Sequence, residues 1–237
     1  MTDVGPAARR AELEQGLARV RERIERACEA AGRDPEALTL VAVTKFFPAS
    51  DVDLLVDLGI TDIGENRHQE AVEKVAQLRG RERLTVHFIG QLQTNKAAAV
   101  AQYADVVHSV DRLRLADALD RGARRAGRRI GALVEVALDG GEGRGGASPA
   151  DAPLVADAIA ASEQLDLRGV MAVAPLGGDP APAFARLEVV ARGIRQAHPE
   201  AGWVSAGMSG DLEGAIAHGA THLRVGSAIL GSRPSHR

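Results

Sequence analysis

The spacing of apolar residues along the chain changes once. Between residues 13 and 27 they recur every third or fourth position, at Leu13, Leu17, Val20, Ile24 and Ala27, and Gly32 with Pro35 closes the run. That spacing predicts an amphipathic helix, preceded by roughly eight residues expected to lack order. From residue 38 onward short β-branched runs take over: LTLVAVT, TDIG, TVHFIG, DVVHSV, ALVEVAL, LRGVMAVA, WVSAG and HLRVG. The stretches between them, at 49–58, 67–79, 94–103, 112–127, 149–163, 180–197 and 211–218, have helical patterning. The strand runs are apolar on nearly every residue, as expected where helices cover both faces of a parallel sheet. Strands alternating with helices imply βαβ units. Eight such units in 237 residues, with no segment left for a second domain, predict one (β/α)8 barrel over residues 1–237 with an extra N-terminal helix. A doubly wound open sheet is the alternative.

Composition narrows this picture. Aromatic residues make up only 3% of the chain, so Val, Leu, Ile and Ala must fill the core. The net charge is −3 and the arginines are spread along the helices, which gives no electrostatic footprint for nucleic acid or an anionic membrane. No run reaches the roughly 18 apolar residues of a membrane span. The first residues, MTDVGPAARRAELEQ, lack a signal-type apolar stretch, and Cys28, the single cysteine, falls on the apolar side of the helix as a small core residue. A cytoplasmic protein is expected.

Most of the 29 basic residues are arginine; lysine stands only at Lys45, Lys74 and Lys96. Lysine can lose its proton and form an imine, which arginine cannot, so each lysine invites a question about amine chemistry. Lys74, in AVEKVAQ, has the spacing of a surface pair with Glu70, and Lys96 opens a helical stretch that is either exposed or part of the mouth. Lys45 follows the apolar run LVAVT, at the strand end where barrel enzymes build their sites, and partial desolvation there would make its amine a better nucleophile. A lysine reaching out from a strand end into solvent is the structural alternative.

Barrels often bind phosphate on the loops after strands seven and eight. Here these read SAGMSGDLEGA and RVGSAILGSR, each with Gly close before Ser and a helical stretch beyond. Ser209 and Ser227 are candidate hydroxyl donors, and Gly226 gives room for close backbone approach; simple helix caps are the alternative. Gly141, Gly143 and Gly146 spell G-x-G-x-x-G, with Asp166 in the acidic position of a dinucleotide fingerprint. The helix, however, waits for Ser148–Pro149, so DGGEGRGGASP reads as a lid or surface loop.

Together VAVTKFFPASDV, IGENRHQEA, HFIGQLQTNK, HSVDR, LRGVMAVAP, GMSGDLEGAI and RVGSAILGSR, which run from about residue 38 to 233, resemble the pyridoxal phosphate homeostasis protein family, relatives of the alanine racemase barrel. The resemblance implies pyridoxal 5'-phosphate as cofactor, held as an imine on Lys45. It implies Met208, Ser209, Gly226 and Ser227 around the phosphate, Arg224 beside the pyridine nitrogen, and Asn66 of the GEN motif near the cofactor. Arg67 and His68 stand where many relatives carry an aromatic residue, and GGEGRGG replaces a shorter segment; both departures bear on the pocket rim.

A carboxylate beside the pyridine nitrogen would keep it protonated and make the ring an electron sink; a guanidinium cannot accept that proton. Racemisation needs acid/base groups on both faces of the α-carbon. In racemases of this type the second is a tyrosine from an added β domain, whereas this chain ends just past strand eight and its one tyrosine, Tyr103, falls in a predicted helix. The expectation is a non-catalytic, monomeric protein that stores pyridoxal phosphate and hands it to apo-enzymes. An amino-acid racemase is the alternative, and a lysine-dependent aldolase the third reading.

Overall fold

The computed structural model describes residues 5–138, 145–175 and 177–232. Its first element is the long helix α1 (Pro6–Ala31), which begins with proline in its first turn and ends where Gly32 takes the left-handed conformation (φ 64°). Residues 6–8, expected to lack order, thus form its opening turn. Leu13, Leu17, Val20, Ile24 and Cys28 lie buried along one side, so Cys28 packs as read.

All eight expected strands form: β1 (Thr39–Val43), β2 (Asp62–Glu65), β3 (Thr85–Phe88), β4 (Val106–Val110), β5 (Ile130–Glu135), β6 (Leu165–Met171), β7 (Trp203–Ser205) and β8 (His222–Val225). Every neighbouring pair is parallel, and β8 returns to β1 with Ala42 opposite Val225, closing the barrel. The sheet is closed, not doubly wound. The helices between strands are α2 (Ala49–Asp57), α3 (His68–Gln77), α4 (Ala97–Val100), α5 (Leu113–Ala126), α6 (Ala152–Ala160), α7 (Ala181–Ala197) and α8 (Leu212–Ala217). A short α9 (Ser227–Leu230), the helical stretch expected beyond the second Gly–Ser loop, follows β8.

Two helical expectations shorten. The 94–103 stretch splits into a 3-10 turn (Thr94–Lys96) and α4, leaving Tyr103 in the turn beyond. The 149–163 stretch becomes helical only at Ala152, because the Ser148 hydroxyl and the Asp151 carboxylate close a turn ahead of it. Residues 139–144, with Gly141 and Gly143 of the fingerprint, lie outside the described residues.

Aliphatic side chains from strands and helices merge into one continuous apolar layer between sheet and helix ring. α1 packs on α2, α8 and α9, and Gly16 allows this: a Cβ there would sit 2.4 Å from the Ile229 carbonyl oxygen. Val106, Leu133, Met171 and Trp203 form a separate apolar group inside the barrel. The interior also carries polar side chains, since His108 of β4 bonds Ser205 of β7, and these strands are not neighbours.

Candidate functional site

Register brings two sets of loops together at the C-terminal mouth. β1 pairs with both β2 and β8, so Thr44–Lys45 comes up beside Asn66 on one side and Gly226–Ser227 on the other. Met208 and Ser209 arrive from β7, one strand further round. The residues expected in the site, Lys45, Asn66, Met208, Ser209, Arg224, Gly226 and Ser227, therefore all sit at or just below this one end.

Lys45 is half-buried and carried by a fixed residue. The Thr44 amide donates to the Gly64 carbonyl (3.0 Å), and its hydroxyl donates to Glu65 Oε1 (2.6 Å). The Thr44 carbonyl accepts from Lys74 Nζ (2.7 Å) and from the Phe47 amide (3.0 Å). Lys74 also donates to Glu65 Oε1 at 2.6 Å, and the pair is buried, with side chains 7% and 0% exposed. This corrects the expectation of a surface Lys74–Glu70 pair: Lys74 turns inward from α3 to β2, and Glu70 bonds Arg67 instead. Immediately after Lys45, Phe46 adopts φ 71°, a conformation that costs a bulky side chain on the order of 1–3 kcal/mol and persists only when its surroundings impose it. Lys45 Nζ and the Arg67 guanidinium approach its ring to 5.9 and 5.2 Å.

On the other side the contacts are longer. Ser227 Oγ donates to Ser209 Oγ at 3.3 Å, and the Ala228 amide reaches the same oxygen at 3.4 Å. The expected hydroxyls are therefore adjacent, with Ser227 exposed and Ser209 half-buried. The Met208 amide donates to Asp211 Oδ1 (2.6 Å), so that N–H serves its own loop. Arg23 of α1 holds the Ser209 carbonyl (2.9 Å). Gly226 seats this loop against β1, where a Cβ would lie 3.1 Å from the Val43 carbonyl oxygen.

Arg224 points into the interior below the mouth and is 4% exposed. It donates to Ser205 Oγ (2.6 Å) and to the Ala172 carbonyl (2.9 Å), using two of its N–H groups. Burial lowers its pKa to about 10, so it stays charged at neutral pH. Near it, at the end of β5, Glu135 has its pKa raised to about 7 by burial and then by Asp111, with Arg224 and Arg112 opposing, and its Oε2 has no hydrogen-bond partner among the described residues. Sequence reading passed over Glu135, Glu65 and the inward Lys74. A charged residue inside an otherwise apolar strand run was the available signal for both glutamates.

Tyr103 is a buried ring stacked on His68 (5.8 Å between centroids). Burial and the nearby Glu65 push its hydroxyl pKa upward, so the phenol stays protonated.

The family profile described as "Alanine racemase, N-terminal domain" matches residues 16–234. A Mycobacterium tuberculosis protein named pyridoxal phosphate homeostasis protein is 42% identical over 246 residues, covering 95% of this chain and 94% of its own length. Among solved structures, an unknown protein from Bifidobacterium adolescentis matches with a TM-score of 0.89 at 34% identity, over 97% of both chains. PipY of Synechococcus elongatus, solved with pyridoxal phosphate bound, matches with a TM-score of 0.80 at 34% identity, over 92% of this chain and 100% of its own. With the closed barrel and the Lys45 strand end in place, these matches show that the chain belongs to the alanine racemase N-terminal domain family, among the pyridoxal phosphate homeostasis proteins.

Proposed function

We propose that this protein binds pyridoxal 5'-phosphate at the barrel mouth, attached through the Lys45 amine, and stores and delivers it without turning over amino acids. The observation that carries this reading is the convergence of an amine, a hydroxyl pair and a buried guanidinium on one mouth. Lys45 is offered by a rigid strand end, Ser209 and Ser227 stand 3.3 Å apart beside Gly226, and Arg224 lies below. These features fit the cofactor. The Ser209 and Ser227 hydroxyls and the surrounding loop amides suit a phosphate. Arg224 keeps N–H groups to donate to an unprotonated ring nitrogen, and Met208 and Asn66 complete the rim. PipY, solved with pyridoxal phosphate bound, supports the choice of cofactor.

Bound pyridoxal phosphate supplies an amine-reactive aldehyde and a ring able to spread carbanion charge. The side chains favour the first property over the second. Arg224 cannot give the ring nitrogen a carboxylate partner, and Tyr103, buried with its phenol held protonated, is a poor base. One observation favours the racemase reading: Glu135, with a pKa of about 7, could exchange protons near neutrality. It sits, however, beside Arg224, whose charge favours its ionised form.

We read the protein further as a cytoplasmic monomer whose recipients are pyridoxal-phosphate-dependent apo-enzymes. In support, the exposed large apolar side chains among the described residues, Val72, Leu113, Leu154, Val173 and Val189, fall on different elements. No helix among the described residues is long and apolar enough to cross a membrane.

The test pairs loading with turnover. Pyridoxal phosphate uptake, followed by absorbance, should require Lys45 and be lost in Lys45→Ala. Chiral chromatography of alanine and serine after long incubation with the loaded protein should show no enantiomer exchange. Racemisation that disappears in Lys45→Ala would replace the carrier reading with the enzyme.

A further inference from the structure

Beneath the mouth a line of polar side chains crosses the barrel interior from β8 to β2. Arg224 NH1 donates to Ser205 Oγ (2.6 Å), and Ser205 Oγ lies 2.9 Å from His108 Nδ1. His108 Nε2 lies 2.8 Å from His87 Nδ1, and His87 Nε2 lies 2.9 Å from Asp62 Oδ1. Ser205, His87 and His108 are fully buried. Elsewhere the same interior is filled by Val106, Leu133, Met171 and Trp203, so this space does not require polar residues. Nor is the histidine group a metal site: no set of three or more His, Cys, Asp or Glu among the described residues is arranged to hold an ion.

The two ends of the line set its direction. A carboxylate only accepts, so His87 must present Nε2–H to Asp62, which leaves Nδ1 of a neutral ring as an acceptor. His108 then donates from Nε2 and accepts at Nδ1, and the Ser205 hydroxyl proton goes to His108. Ser205 Oγ is left to accept from Arg224, a group that only donates. With both rings neutral, the donor-only and acceptor-only termini agree on one orientation. The charged and titratable groups facing the line support it. His108 is held neutral chiefly by burial, with the Arg224 charge adding to it; His222 is lowered to about 4 chiefly by burial; and burial works against the lowering of Asp62 by its bonds to His87 and Thr61.

We propose that Ser205, His108 and His87 are positioning residues for Arg224, a one-way hydrogen-bond chain that holds the guanidinium as a fixed donor to the ring nitrogen of the cofactor. The proposal rests on the cofactor reading above. Because both termini are fixed in role, the chain orients Arg224 and conducts no proton to it.

Two measurements test it. In the cofactor-free protein, long-range proton–nitrogen correlation spectra of the imidazoles near neutral pH should show His87 and His108 both as Nε2–H tautomers. A doubly protonated ring, or Nδ1–H on either residue, would overturn the chain. In the second measurement, Ser205→Ala should weaken pyridoxal phosphate about tenfold, the equivalent of one hydrogen bond of roughly 1.4 kcal/mol. It should leave unchanged the affinity for an analogue with carbon in place of the ring nitrogen, and Ser205→Thr should restore wild-type behaviour. An equal loss for both ligands would mean that Ser205 only packs the barrel, contrary to the proposal. Failure of the unmodified protein to take up either ligand would overturn the cofactor reading and the assigned purpose of the chain. The tautomers would still report whether the chain itself exists, so the two failures are distinguishable.

Discussion

The two sides of the barrel mouth are held by different physics. On the β1–β2 side every polar atom of Thr44 is engaged, a buried Lys74–Glu65 pair clamps the strand end, and Phe46 is kept in a strained conformation. On the β7–β8 side the Ser209–Ser227 and Ala228–Ser209 contacts are 3.3 and 3.4 Å long, and Ser227 is exposed. The first side is held by short hydrogen bonds within the protein and presents an amine from a fixed strand end. The second is held by longer, weaker contacts, and in the proposed function a phosphate between its loops would supply stronger ones. On the proposed function, folding places the covalent anchor and the ligand orders its own phosphate site.

The comparison breaks most visibly if the phosphate is removed. Charge-assisted hydrogen bonds contribute on the order of 1.5–3 kcal/mol each, so pyridoxal should bind about two to four decades more weakly than pyridoxal phosphate. Ser209→Ala and Ser227→Ala should each weaken only the phosphorylated form, by a smaller step, with chemical denaturation midpoints little moved. Titration of both ligands against the three proteins decides this, and equal affinities would remove the phosphate site.

On the opposite side the effect should fall on folding. Glu65→Ala strands the Lys74 ammonium in the interior, and removing one partner of a buried pair costs about 3–5 kcal/mol. Urea unfolding should show that loss, whereas Lys74→Met with Glu65→Gln, which removes both charges, should recover much of it. A Glu65→Ala protein of wild-type stability would mean that the clamp is not what fixes Lys45.

A smaller effect separates Glu135 from both sides. Its folded pKa of about 7 lies above the ordinary carboxylate value of 4.5, so the native state resists ionising it. The resulting penalty is fully present above about pH 7 and vanishes as pH falls toward 4.5. Glu135→Gln should therefore stabilise the protein at pH 8, by at most about 3 kcal/mol, and change little at pH 4.5. Thermal melts at the two pH values check the sign, and a larger gain in acid would contradict it.

The sequence made the strands and Lys45 legible for one physical reason: parallel strands buried on both faces read as apolar runs, and a lone lysine at the end of one stands out. Loop order round the barrel likewise brought Ser209 and Ser227 into view. What stayed hidden depended on closure. The i, i+4 rule pairs Lys74 with Glu70 because it sees only α3, whereas its partner Glu65 comes from the preceding strand. His87, His108 and Ser205 are unremarkable letters in three separate runs, and they meet only because β3, β4 and β7 face a common interior. The direction of a side chain inside a barrel follows from register, which no single run specifies.

The central claim is that Lys45 is the residue to which the cofactor is attached, and borohydride tests it most directly. Reduction of the loaded protein followed by peptide mapping should place the pyridoxyl label on Lys45, with Lys74 unmodified because its ammonium is engaged by Glu65 and the Thr44 carbonyl. Label on Lys74 or Lys96 with Lys45 unmodified would contradict the account.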